Sequence, residues 1–166
     1  MSYDRTKLIE KTTSITLDTS KTIQELDTDF FFDYQLFPSK ILTYKSEWGT
    51  ENRKMKVGDT VLQQAFIPPI QAFSVKVLFG VRINQIFREQ DKLGFSYETL
   101  EGHVEKGISI FTLENQLGGK PIFKIHTFSQ PGNFLTKLAG PVFSIPYQTY
   151  CTRQCLLNVK RRLEQV

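Results

Sequence analysis

The chain has 166 residues, of which 40% are hydrophobic and 23% charged, with a formal net charge of +4. That size fits one domain, residues 1–166, able to bury a real core, and the composition is ordinary for a soluble globular protein. The charge is too small to argue for nucleic acid, and the tight basic run Lys160-Arg161-Arg162 reads as the solvated end of a helix, where cations suit the dipole.

In chain order, Lys7 to Leu17 is rich in Thr and Ile and reads as a strand, with Ile15 and Leu17 on one face. Asp18-Thr19-Ser20 offers acceptors for unpaired backbone N–H groups, so a helical or partly helical segment is expected from there to Phe37, stopped by Pro38. Its aromatic cluster, Phe30 to Phe37, cannot all face water and is expected to seal one end of the core. Ile41 to Trp48 looks extended or turn-like and ends at Gly49. Val57-Gly58-Asp59-Thr60 resembles a turn entering a strand, Val61 to Ile67, which Pro68-Pro69 breaks.

The next strand is clearer. Phe73, Val75, Val77, Phe79, Val81 and Ile83 alternate with Ser74, Lys76, Leu78, Gly80, Arg82 and Asn84, which is period two with one buried face. Leu93, Phe95, Tyr97 and Thr99 repeat the pattern, and Ile108 to Leu113 is a further strand. Asn115 to Gly119 supplies a hairpin loop, and Pro121 to Phe128 returns as a strand. Beyond Pro131 the period becomes helical. Leu135, Leu138 and Val142 form one stripe; Tyr147, Cys151, Cys155, Val159 and Leu163 form another. Pro141 and Pro146 are expected to kink or interrupt this long helix.

A strand, a helical segment, a series of antiparallel strands and one long helix make an α+β chain. A curved antiparallel β-sheet wrapped around the long C-terminal helix buries both apolar surfaces, which is the helix-grip arrangement, and incomplete closure leaves a cavity. Cys151 and Cys155, four apart on one helix face, have poor geometry for a disulfide and no further ligands at zinc spacing, so they read as packed thiols and no metal is expected. The polar start and the lack of a long apolar run give a cytoplasmic expectation without an integral-membrane segment.

Further residues carry a resemblance. Arg82 in a strand precedes Gly94-Phe95-Ser96-Tyr97-Glu98-Thr99-Leu100-Glu101-Gly102-His103, then Glu105-Lys106-Gly107, Phe111, Phe128-Ser129-Gln130-Pro131, Gly140-Pro141 and Gln148. The segment from about Val81 to Leu157 resembles a bacterial and plant family of unknown function, placed with the START-like, or SRPBCC, superfamily. The resemblance implies the helix-grip fold and a small apolar molecule as ligand. Val104, Ile108-Ser109 and Gln130 stand where the family pattern has Pro, acidic residues and Arg. These departures remove charges that a catalytic role carried over from relatives would use.

Five residues are candidates for ligand contact. Tyr97, on the apolar side of its strand, could point a hydroxyl into a cavity or be a core tyrosine satisfied locally. His103, after Gly102, could serve as a general base or bind a polar group, with Glu98, Glu101 or Glu105 orienting it; the plainer and favoured reading is a loop His whose ring bonds backbone and fixes the turn. Arg82, among the opposite-face residues, could meet an anion or pair with Glu98 across the strands. Trp48 and Phe134 could cap a pocket or pack in the core. His126 shares a face with Lys124 and reads as outer or rim. No nucleophile elbow, phosphate loop or cofactor motif appears.

Three functions stay open at this point. The first is a small-molecule binding module without a cofactor. The second is a cyclase- or hydrolase-like enzyme with His103 as acid/base, which needs a second titratable group facing the same cavity. The third is an interaction protein with a filled core and an exposed apolar patch at Phe30 to Phe37.

Overall fold

The computed structural model describes residues 9–67, 74–100, 106–130 and 141–165. In chain order these form β1 (Ile9–Thr16), α1 (Asp29–Phe32), β2 (Leu42–Ser46), α2 (Glu47–Thr50), β3 (Thr60–Ile67), β4 (Val75–Arg88), β5 (Lys92–Thr99), β6 (Lys106–Glu114), β7 (Ile122–Gln130) and α3 (Pro141–Glu164). The strands build one seven-stranded sheet in the order β1-β7-β6-β5-β4-β3-β2, and every neighbouring pair is antiparallel.

The period-two pattern decides which face is buried. Val81 and Ile83 are fully buried while Arg82 between them is exposed. Past Ile83 the apolar spacing jumps by three, to Ile86. A register shift between Ile83 and Gln85 absorbs the extra residue, and Asn84 accepts a hydrogen bond from the Ser96 hydroxyl there. Ile86 thereby returns to the inner face opposite Phe95.

The stripe on α3 packs against that face. Cys155, Val159 and Leu163 are buried, whereas Tyr147 and Cys151 near the helix start are half-buried. Each buried aliphatic of this kind contributes about 1.5–3 kcal/mol. Polar contacts fix the helix direction. The Tyr147 hydroxyl donates to the Phe66 carbonyl at 2.8 Å on β3, and the Lys160 ammonium donates to the Thr16 carbonyl at 2.9 Å on β1. The helix therefore crosses the sheet from β3 toward the β1 edge. Asn158 donates to the Leu36 carbonyl at 2.9 Å and ties α3 to the segment after α1.

Two local expectations are corrected. The helical segment from Asp18 shrinks to the single turn α1. The Asp18 carboxylate is held by Lys120 at 3.0 Å and Lys160 at 2.6 Å, so it does not cap a helix. Next to it the Glu25 carboxylate closes a local turn on Thr22 N–H at 2.8 Å, and Asn115 accepts from Ile23 N–H at 3.1 Å. With side chains taking those donors, nothing propagates a helix. The stretch expected to be extended or turn-like is strand β2 leading into the single turn α2, which holds Trp48 and Gly49 and where the Ser46 hydroxyl accepts from Gly49 N–H at 3.2 Å. Finally, α3 runs through Pro146 without a break. Pro146 is its sixth residue, just past the four whose N–H groups have no helical partner, so it removes a single intrahelical bond near the helix end, while Pro141 opens the helix where no N–H is needed. The Leu135 and Leu138 stripe lies outside the described residues.

Candidate functional site

The inner face of the sheet divides into two halves. In one, Phe95 lies opposite Phe111, Phe111 opposite Ile125, Leu93 opposite Leu113 and Leu113 opposite Phe123, and all are buried. Phe31 from α1 packs edge-on against Phe95 and Phe123, with ring centroids 5.6 and 5.7 Å away. In the other half Tyr97 lies opposite Ser109 and Ser109 opposite Thr127, and all three are half-buried. β5 and β6 are central strands. Inward side chains there reach solvent only where the facing helix leaves room. Tyr147, Tyr150 and Cys151 of α3 and Phe79 of β4 are half-buried as well. Val77 and Ile67 form a small cluster with Phe79, which also packs against the main core.

A polar node lies where the halves meet. Tyr34 is fully buried, and its hydroxyl accepts from the Gln63 amide and shares a hydrogen bond with Tyr97. Gln63 is itself 2% exposed. Burial pushes the Tyr34 phenol well above its ordinary pKa, so it stays protonated. The Tyr34 backbone is in the left-handed region, φ 68°, just past α1. Its N–H bonds the Phe31 carbonyl at 3.2 Å and Gln35 N–H bonds the Phe30 carbonyl at 2.9 Å, which closes the helix end as glycine usually does. A tyrosine there costs about 1–2 kcal/mol of strain. The ring's contacts explain why it is held: Tyr44 at 5.4 Å, Phe95 at 5.8 Å and Tyr97 at 6.1 Å.

On the helix side burial raises both thiols and the Tyr147 phenol. Cys151 is pushed up to about 11, Cys155 and Tyr147 further. Both cysteines are free thiols, so this wall is neutral at physiological pH.

Among the five sequence candidates, Tyr97 is the one the described structure brings to this node. Arg82 is exposed on the outer face and stands across from Glu98 in the β4–β5 register. Trp48 is 1% exposed in the main core and also borders a surface cleft beside Tyr44 and Arg53. His103 and Phe134 lie outside the described residues. His126 is on the outer face, 2.7 Å from the Glu10 carboxylate and stacked 4.3 Å from Phe128. Glu98 and Tyr97 are neighbours on β5 and so lie on opposite faces of the sheet; Glu101 and Glu105 lie outside the described residues. Phe30, Phe31, Tyr34 and Leu36 are buried, so the apolar patch that would mark an interaction protein is not exposed. Sequence reasoning missed Tyr34 and Gln63 as site residues. The signal for Gln63 was present, because it is the polar member of the inward set Val61, Gln63, Ala65 and Ile67.

The comparisons with known proteins bear on this geometry. The family model described as "Domain of unknown function (DUF1990)" matches residues 28–158. The chain belongs to this family. The DUF1990 region contains Tyr34, Gln63, Tyr97, Cys151 and Cys155, and leaves β1 outside. A UPF0548 protein of Deinococcus radiodurans is 36% identical over 61 residues, 37% of this chain and 31% of that protein. The match thus spans less than a third of that relative's length. Two solved structures resemble the DUF1990 chain in fold. A hypothetical protein of Helicobacter pylori superposes with TM-score 0.57 at 10% identity, over 94% of this chain and 87% of the other. An uncharacterised protein of Rhizobium leguminosarum superposes with TM-score 0.50 at 15% identity, over 96% and 97%. No described helix is long and apolar enough to cross a membrane.

Proposed function

We propose that the chain is a single helix-grip domain of the START-like kind that binds a small apolar molecule between the inner face of the sheet and α3. One observation carries this reading: inward side chains on the central strands, Tyr97 and Ser109, are half-buried although a helix faces them. A packed interior would leave them dry. Support also comes from the strand order, the helix crossing from β3 to β1 and the START-like resemblance of the sequence.

In this reading Val77, Phe79 and Tyr150 supply apolar surface, and every two methylenes buried contribute about 1.5 kcal/mol before ordering costs. Tyr97, backed by Tyr34 and Gln63, orients the ligand's polar end. His103 and Phe134 are assigned to the same site by sequence alone.

The test is native mass spectrometry on protein purified from its own host and from an unrelated one, followed by organic extraction. The expected result is an apolar molecule at near-unit stoichiometry that is lost in Tyr97→Ala. A clean apo mass from both hosts, with no thermal shift across a lipid and metabolite panel, overturns the reading.

A further inference from the structure

We propose that the edge of β1 is a self-pairing surface: two copies of this chain join β1 to β1, antiparallel about a two-fold axis at Thr12, into one continuous sheet.

The two outermost strands of the sheet differ. β2 is five residues long, and backbone groups at both its ends are spent on near neighbours: Leu42 N–H donates to the Pro38 carbonyl at 3.2 Å, and the Ser46 carbonyl accepts from the Thr50 hydroxyl at 3.0 Å. β1 is eight residues long, holds an unbroken register with β7 and contains no proline. Leu17 N–H donates to the Pro121 carbonyl at 2.9 Å, and the Thr127 hydroxyl donates to the Lys11 carbonyl at 3.3 Å. Odd-numbered residues of β1 therefore aim their backbone groups at β7, and even-numbered residues aim theirs away. The Thr16 carbonyl, held by the Lys160 ammonium at 2.9 Å, obeys the same alternation. Glu10, Thr12 and Ser14 thus turn N–H and C=O outward, and all three residues are exposed. Such a row is a template for a further strand.

The strand's own sequence completes that row. With the axis at Thr12, Glu10 of one copy meets Ser14 of the other and the two Thr12 residues meet each other, so outward groups face outward groups and each pair exchanges two hydrogen bonds. Between them, Ile9 of one copy meets Ile15 of the other on the inner face. Ile15 packs against the main core, whereas Ile9 is 61% exposed. Pairing would cover Ile9 at a position where cross-strand side chains stand closest. The two Lys11 side chains lie diagonally across the axis, exposed and long enough to diverge. Neighbouring registers are worse. An axis at Glu10 sets two carboxylates directly across from each other. An axis at Ser14 brings in Thr16, whose carbonyl Lys160 already holds. A two-fold pairing of this kind uses the same edge on both copies and closes at the dimer, while β1 on the blunted β2 would extend without end.

The test is sedimentation equilibrium on the full chain from about 1 µM to 1 mM, with a reversible monomer–dimer equilibrium as the expected result. Thr12→Pro removes an outward N–H while leaving the bonds to β7 in place, and should weaken association about tenfold or more. Ile9→Lys, at an exposed position that the monomer does not need, should weaken it as well and serves as the deciding variant if the proline lowers the melting temperature. Register is read by oxidation with copper phenanthroline. Thr12→Cys should cross-link rapidly, because the two cysteines stand about 5.5 Å apart between Cα atoms. Ser14→Cys should stay at the wild-type background, because its counterpart lies four residues along the partner strand, beyond disulfide reach. A monomer throughout the concentration range overturns the proposal. A dimer that neither Thr12→Pro nor Ile9→Lys weakens uses another surface and overturns it too. Equal cross-linking of the two cysteine variants overturns the register at Thr12.

Discussion

The sealed and open halves of the inner face share the same walls, yet they differ in what lies between. Moving two residues along β5, β6 and β7 replaces Phe95, Phe111 and Ile125 by Tyr97, Ser109 and Thr127; a further two positions give Thr99, Gly107 and Ser129. Large rings give way to small hydroxyl side chains over about two residues of strand. The sealed half also receives Phe31 from α1 as a third layer. Side-chain size, not strand pairing, sets where the sheet and helix close. A core needs volume as well as apolar surface, and the second half supplies neither in full.

The largest expected effect tests that contrast directly. Phe31→Ala should cost about 3–5 kcal/mol, since it removes a fully buried ring from among others that cannot collapse onto the gap. Phe79→Ala, at a half-buried position, should cost only about 1–2 kcal/mol. Urea unfolding with a common m-value measures both. Equal losses would erase the distinction between the halves.

Gly107→Val asks whether the open half is open because its strands are loose. A Cβ at Gly107 would stand 2.1 Å from the Phe128 carbonyl oxygen and 2.9 Å from the Ser129 Cα, both backbone atoms of β7. Gly107 N–H also donates to the buried Thr99 hydroxyl at 3.0 Å. A substitution there must push β6 away from β7, with an expected loss of about 3 kcal/mol and a matching fall in melting temperature. A tolerated valine would mean that β6 and β7 separate easily, and the small-residue explanation would be wrong.

These two cases also show what could be read from the chain. Alternation from Val75 to Ile83 and from Leu93 to Thr99 was enough for the sheet, because period two has one buried solution. The stripe from Tyr147 to Leu163 was enough for the long helix. The stretch from Asp18 to Phe37 was misread because its local capping signals are spent on distant partners, Lys120, Lys160 and Asn115, which no local window reveals. Tyr97 was legible as an inward tyrosine. Tyr34 was not, since its place depends on a left-handed backbone angle that sequence does not favour for tyrosine. Trp48 was ambiguous by nature: a large aromatic beside a glycine turn reads the same whether it caps a pocket or fills a core.

The boundary between the halves can be probed at Tyr34. Tyr34→Phe removes the acceptor of the buried Gln63 amide and should cost about 1–3 kcal/mol. Adding Gln63→Leu removes the stranded amide, and the double variant should regain most of that loss. A double-mutant cycle measures the coupling. If the two costs simply add, water already serves the amide and the node is wet.

The smallest expected effect is a rate rather than a stability, and it locates the boundary within one helical turn. Cys151 is half-buried and Cys155 fully buried, four residues apart on the inward face of α3. Desolvation raises the Cys151 thiol to about 11, only partly offset by its hydrogen bond with Tyr147. The reactive thiolate is scarce at neutral pH because the folded value lies above that of a free thiol. Maleimide labelling of Cys155→Ala protein should therefore be slow at pH 7 and rise about tenfold per pH unit until about 11. Labelling of Cys151→Ala protein should instead follow global unfolding at every pH, because Cys155 has no solvent path in the folded chain. Equal rates for the two variants would place both thiols on the same side of the boundary, and the open half would then end before the helix rather than along it.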